Sequence, residues 1–312
     1  MKLIILYGNI SAKHNARNQK LIDGIWTCGY REYAKHAGAI VYMSPQDNLK
    51  EPWEFAFPNA EGLTDWIKQY PDAIVWSLKH GGGKEDVLKQ VDNFKIHYSC
   101  NCRNLHNPLC DVSLVDTHER LVHKQCSLYV KGKDPDFWKP IAKEKDFDYL
   151  LMGTRDDKMQ SYSINQITEE VKEKRRILWV GGEAFRKKIN KSHHDIVLTP
   201  VYGAEKVRDH ISRAKIGILY TQHPSEGFPQ TFMEMTMCGL PVIYPKSKAP
   251  RNEHYFFDTN SRLVRKKYNI AKTGEDMLSQ YAEGVTDVEC RDTAIEHYSI
   301  HKSIERIMGL KK

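Results

Sequence analysis

Short apolar runs alternate with longer amphipathic stretches along most of the chain. Leu3 to Tyr7, Ala39 to Met43, Ala73 to Trp76, Lys95 to Tyr98 and Val112 to Val115 read as buried strands, with helices over Asn18 to His36 and Glu85 to Val91. The turn-rich segment KGKDPDFWKP, Lys131 to Pro140, closes this series. A second series then begins, with strands opening at Asp148 (DYLLMG), Arg176 (RILWVGG), Asp195 (DIVLTPVYG), Lys215 (KIGILY) and Leu240 (LPVIYP). Helices fit over Ser163 to Lys174 and Ala204 to Ala214, and a last helix spans Arg291 to Met308. Continuous apolar strands separated by helices are the pattern of a parallel sheet covered on both faces. Two such series predict an α/β protein of two Rossmann-like, doubly wound parallel-sheet domains facing a cleft. The expected boundaries are 1–142 and 143–290, with a C-terminal helix in 291–312 crossing back to the first domain.

Composition narrows the class. A chain of 312 residues is long for one core. No apolar run approaches the roughly 18 residues of a membrane span, and the apolar part of MKLIILYGNIS is too short for a signal core. Seven scattered cysteines, an odd number, read as reduced thiols in a cytoplasm. The net charge of +7 suits phosphorylated ligands, and equally nucleic acid or an anionic membrane surface.

The chemistry concentrates in SEGFPQTFMEMTMCGLPV, Ser225 to Val242. KIGILY ends a strand, TQHPSEGFP is a loop, and Gln230 to Cys238 is a short helix begun just after Pro229, where a missing N–H costs nothing. Gly239 suits a left-handed helix stop, and Pro241 bars continuation before the next strand. Ligands of open α/β sheets bind at the carboxyl ends of the strands, where a helix N-terminus offers free N–H groups to an anion. The loop from Gly227 to Gln230 is therefore a seat for a phosphate-linked ligand, and Gly227 lets the backbone come close. Glu226 and Glu234 would repel phosphate, so they suit hydroxyls, a vicinal diol above all. Phosphate and diols together describe a nucleotide sugar.

The run Glu226, Gly227, Phe228, Glu234, Gly239, Pro241, Val242 resembles the E-G-F, then E, then G-x-P-V signature (E-x7-E) of group 1 retaining glycosyltransferases with the GT-B fold. LLMGTR at Leu150, LWVGG at Leu178, DIVLTPVYG at Asp195, KGKDPDFWKP and the closing IEHYSIHKSIE are similar to family features in the same order. The resemblance implies transfer of a hexose from a nucleotide diphosphate sugar to an acceptor hydroxyl, with retained anomeric configuration and no metal ion. By position, Glu234 would hold the ribose diol, Glu226 would contact a sugar hydroxyl, and Gly227, Phe228, Pro229, Gln230 and Thr231 would line the sugar and phosphate. Arg155 and Lys158 match the family's basic pair at the departing diphosphate, although their spacing of three positions is shorter than usual. Thr199, Val201 and Tyr202 fall where the base is read, with uridine the commonest base. Gly8 falls where the first strand approaches the donor. No residue of the first half falls cleanly on the family's histidine near the transferred sugar; His97, Asn101, His106 and His118 are candidates, and His118 is taken here.

Other features have plainer readings. Gly81 to Gly83 before Lys84 lacks the full spacing of a phosphate loop. HYSCNCRNLHNPLC, His97 to Cys110, is a poor zinc pattern, and no metal site is expected. The basic run RLVRKKYNIAK, Arg262 to Lys272, reads as a solvated face or a contact to acceptor phosphate. The donor is a substrate, so no permanently bound cofactor is implied. The acceptor is a glycan or small sugar by default. DNA with hydroxymethylated bases, glucosylated as some viruses do, is an alternative for a basic chain. Two further alternatives are a non-catalytic protein of the same fold that grips nucleic acid or a partner, and a nucleotide-sugar epimerase.

Overall fold

The structure, a computed structural model, describes residues 1–8, 30–43, 49, 51–78, 83–98, 107–115, 124–129, 131–141, 143–153, 160–182, 189, 192–200, 203–219, 230–243, 264–265, 278–279 and 288–311. The chain divides into two compact units: Met1–Gly132 together with Ile300–Lys312, and Lys133–Ser299.

Apolar side chains on successive positions of a strand point to opposite faces, so a strand apolar throughout must be covered twice. In the first unit the strands are β1 (Leu3–Gly8), β2 (Gly38–Tyr42), β3 (Glu54–Ala56), β4 (Ile74–Leu78), β5 (Lys95–Tyr98), β6 (Val112–Val115) and β7 (Cys126–Leu128). They form a wholly parallel sheet in the order β3-β2-β1-β4-β5-β6-β7. Leu3, Ile5, Ile40, Tyr42 and Trp76 share one core with Tyr30 and Tyr33 of α1 (Tyr30–Ala37) and with Ile300 and Ile307. Ile4, Leu6, Val41 and Val75 face the other way, onto Leu63 and Ile67 of α2 (Ala60–Lys68) and Val87 and Leu88 of α3 (Lys84–Gln90).

The second unit repeats the plan. Strands β8 (Phe147–Met152), β9 (Arg176–Val180), β10 (Asp195–Thr199), β11 (Ala214–Ile218), β12 (Val242–Ile243) and β13 (Val264–Arg265) form a parallel sheet in the order β10-β9-β8-β11-β12-β13. Tyr149, Leu151, Ile177, Trp179, Ile216 and Ile218 meet Ile164 and Ile167 of α4 (Gln160–Glu170). The remaining helices are α5 (Ala204–Ser212), α6 (Gln230–Met237), α7 (Val288–Tyr298) and α8 (Ile300–Gly309). Both sheets have doubly wound order, with reversal points between β1 and β4 and between β8 and β11.

The structure departs from the sequence reading in several places. The single terminal helix is two, α7 and α8, interrupted where Ser299 leaves the helix to form a parallel bridge with Lys133 and the chain passes from one unit to the other. The helix expected over Asn18 to His36 is described from Tyr30 onward, and its earlier part lies outside the described residues. No element was expected between Met43 and Ala73, where β3 and α2 lie. β3 carries Glu54, a charge that is buried because Arg31 Nε lies 3.0 Å away and the Tyr42 hydroxyl donates to it at 3.1 Å. Helix α2 is begun by Asn59, whose side chain accepts the Gly62 N–H at 2.9 Å.

Candidate functional site

Helix α6 follows β11 at the reversal point of the second sheet, the position where open α/β sheets bind ligands. It lies unusually close to the strand beneath it: a Cβ on Gly217 of β11 would sit 2.6 Å from Met235 Sδ. Glycine is what permits this approach. The helix ends as its sequence predicts. Gly239 takes φ +71°, the Leu240 N–H returns to the Met235 carbonyl at 3.0 Å, and the Gly239 N–H to that of Thr236 at 2.9 Å. Sunk onto β11 and closed at its end, α6 buries every residue from Phe232 to Met237, including Glu234.

Glu234 is fully enclosed, with no exposed surface. Its Oε1 lies 2.9 Å from Lys133 Nζ, and the lysine side chain is equally enclosed at 2% exposure. The pair is at ion-pair distance without the alignment of a directed hydrogen bond, and no hydrogen-bond donor among the described residues reaches Oε2. A buried acceptor left in this state costs about 1–3 kcal/mol, more for a charged group, until a donor arrives.

Lys133 is itself held tightly. Its backbone N–H donates to the Tyr298 carbonyl at 2.9 Å, its backbone bridges Ser299, and its ammonium lies 5.1 Å from the centre of the Trp138 ring. The segment that carries it is clamped by two arginines. Arg291 of α7 donates to the carbonyls of Trp138 at 2.8 Å, Pro135 at 3.0 Å and Met237. Arg208 of α5 donates to the Phe137 carbonyl at 2.7 Å and stacks on the Phe137 ring. Sequence reasoning missed Lys133, Arg208 and Arg291. A lone cation in a turn or on an amphipathic helix reads as solvated surface, and only the fold reveals the carbonyls that converge on each.

The other anticipated residues are placed in part. Gln230 and Thr231 form the first turn of α6 and are partly buried. Thr199 ends β10, and its carbonyl accepts the Gly181 N–H at 2.7 Å. Gly8 ends β1, paired with Tyr42 after a register shift. The Trp179 indole N–H donates to the Gly153 carbonyl at 3.2 Å, fixing the exit of β8. Glu226, Gly227, Phe228, Pro229, Arg155, Lys158, His118, Val201 and Tyr202 lie outside the described residues, as do Asn101 and His106. Lys84 is buried and donates to the Leu78 carbonyl, a structural role after the left-handed Gly83. Among the described residues no group of three or more His, Cys, Asp or Glu side chains is placed to hold a metal ion, and no helix is long and apolar enough to cross a membrane. Cys238, just past α6, has its thiol pushed up to about 12 by burial and then by the Glu234 charge.

Residues 146–273, within the second unit, match the family model described as "Glycosyl transferases group 1". A search of curated proteins by sequence finds no match. Among solved structures, a glycosyltransferase from Rickettsia africae aligns with TM-score 0.67 and 14% identity over 99% of this chain and 97% of its own. Sucrose-phosphate synthase from Thermosynechococcus elongatus aligns with TM-score 0.67 and 14% identity over 100% and 98%. Anabaena HepE in complex with UDP-glucose aligns with TM-score 0.59 and 10% identity over 99% of both chains, and it has also been solved with UDP. At such identities the likeness is one of fold, and the fold is GT-B.

Proposed function

We propose that the chain is a glycosyltransferase that takes a hexose from a nucleotide diphosphate sugar and passes it to an acceptor hydroxyl. The observation that carries this reading is Glu234: an enclosed carboxylate with one oxygen lacking a donor, on the helix at the reversal point of the sheet, inside the stretch that matches group 1 glycosyltransferases. A ribose hydroxyl is a donor of the kind Oε2 lacks. The UDP and UDP-glucose complexes of HepE favour uridine, and Thr199, Val201 and Tyr202 are the residues proposed to read the base.

In this reading the bond from the anomeric carbon to the β-phosphate oxygen breaks, with its electrons leaving on the diphosphate. Arg155, Lys158 and the backbone N–H groups of Gly227, Phe228, Gln230 and Thr231 stabilise that charge, each preorganised contact contributing on the order of a few kcal/mol. The acceptor oxygen bonds to the same face of the sugar, its proton passing to a phosphate oxygen, so configuration is retained without a protein nucleophile or a metal ion. Glu226 holds a sugar hydroxyl and His118 stands near the transferred sugar.

A second reading makes Glu234 only the counter-charge of Lys133, and the full enclosure of both side chains favours it. Turnover separates the two. The chain is incubated with a panel of nucleotide sugars and glycan or sugar acceptors, and nucleoside diphosphate release and product configuration are followed. The proposal expects release with at least one donor, an α-configured product from an α-configured donor, and loss on Glu226→Gln or Glu234→Gln. A folded Glu234→Gln variant with undiminished turnover would contradict the role given to Glu234.

A further inference from the structure

We infer that Trp179 is a positioning residue for the donor's diphosphate, acting through the backbone of Gly153, from which the segment bearing Arg155 departs. The inference rests on the reading of Arg155 as a cation at the departing diphosphate. A buried indole needs an acceptor for its N–H. Trp179, fully enclosed on β9, finds one at the exit of the neighbouring strand: it donates to the Gly153 carbonyl at 3.2 Å, one residue past the end of β8. The Gly153 N–H donates to the Val180 carbonyl at 3.0 Å, and its φ of +153° is a conformation that other residues rarely adopt. Both backbone polar groups of Gly153 are therefore tied to β9. Because the peptide is planar, a held carbonyl also holds the N–H on the far side of the same bond. Arg155 is two residues further along, at most about 7 Å of chain.

The indole is itself locked in place. Its ring fills the space of a side chain at Gly182: a Cβ there would sit 2.5 Å from Cδ2 and 2.6 Å from Cγ of Trp179, and 2.9 Å from Leu198 Cδ2. Gly181, at φ +87°, turns the end of β9 and donates to the Thr199 carbonyl at 2.7 Å. Tyr149, Leu151, Ile164 and Ile177 share the core with the ring. Packing alone asks only for an apolar ring, and phenylalanine would supply one. The N–H is the part of Trp179 that reaches a chain exit, and that exit belongs to β8, one of the two strands at the reversal point of the sheet. Misplacing a group there by about 1 Å can lower turnover about a hundredfold.

Calorimetry of UDP and UMP binding reads the diphosphate apart from the nucleoside. The full chain is compared with Trp179→Phe, with Arg155→Ala and with Trp179→Phe/Arg155→Ala. A further variant replaces Trp179 by benzothienylalanine, which keeps the shape of the ring and puts sulfur where the N–H was. The unmodified chain is expected to bind UDP more tightly than UMP. Trp179→Phe and the benzothienyl variant should bind UDP roughly fivefold more weakly, the loss of one hydrogen bond, with UMP affinity unchanged. With a nucleotide sugar they should lower kcat more than they raise KM. Trp179→Phe should add nothing to Arg155→Ala. Should Trp179→Phe fail to fold, the isosteric benzothienyl variant decides. The inference is overturned if that variant keeps the full advantage of UDP over UMP, if it weakens both alike, as a role in packing alone would, or if the Trp179 and Arg155 effects add. An advantage of UDP that survives Arg155→Ala overturns the reading of Arg155 itself.

Discussion

Lys133 and Glu234 face each other 2.9 Å apart with neither side chain reaching solvent, although they are far apart in the sequence. Removing one partner of such a pair leaves an uncompensated buried charge and typically costs about 3–5 kcal/mol, whereas replacing both with neutral groups of similar size is often near neutral. Lys133→Met is therefore expected to lower unfolding free energy by about that amount. Lys133→Met/Glu234→Gln should recover most of the loss. Urea unfolding of the second unit's signal checks both, and additive effects of the two changes would show that the charges are not coupled.

Gly217 tests the seating of α6. Alanine there would place a methyl 2.6 Å from Met235 Sδ, with Leu240 and Val242 also close. Overpacking of this type costs about 1–3 kcal/mol. Because α6 carries Glu234, Gly217→Ala should weaken donor binding as well as stability, and Met235→Ala in the same chain should relieve part of both. Calorimetry and thermal unfolding of the pair measure this.

The sulfur chemistry is predicted by burial. Burial first, then the neighbouring carboxylates Asp111 and Glu234 respectively, pushes the Cys110 and Cys238 thiols up to about 12. Both should resist alkylation at mildly alkaline pH in the native chain and react promptly once it is unfolded. Among the cysteines of the described residues, Cys126, which is only partly buried, should be labelled first. Peptide mass spectrometry after timed alkylation reads the order directly.

Acid should weaken the second unit in two windows. Burial, mainly, holds the His194 and His210 imidazoles below 6.5, and His194 Nδ1 accepts the Arg175 N–H at 3.1 Å, a bond that protonation breaks. The unfolded chain takes these protons first, so stability is whole above 6.5 and falls as pH drops through the lower folded values. Asp146 adds a second, more acid window. Burial raises its carboxyl, but hydrogen bonds and charge from Arg213 outweigh that and bring it below 3.8, so its contribution is present above 3.8 and lost as pH falls further. Denaturant titrations across this range should show both slopes, and His194→Gln with His210→Gln should flatten the first.

Much of the architecture was legible because it is written in contiguous residues. The strands β1, β4, β8, β9 and β11 are apolar nearly throughout, and α6 carries its own stop in Gly239. What escaped depends on partners distant in sequence. Glu54 makes β3 look like a loop until Arg31 and Tyr42 are placed beside it. Ser299, where the terminal helix is interrupted, bridges Lys133, a partner distant in sequence. In the site, Glu234 stood out through its spacing to Glu226, but Lys133, between a glycine and an aspartate, carries no local mark of burial.

The most direct test of the account is calorimetric titration of UDP-glucose into the unmodified chain and into Glu234→Ala. The account predicts saturable binding to the unmodified chain and an affinity lower by roughly tenfold or more in the variant, with the fold retained by circular dichroism. Equal affinity in the two chains, or no binding of UDP-glucose or any other nucleotide sugar to the unmodified one, would contradict it.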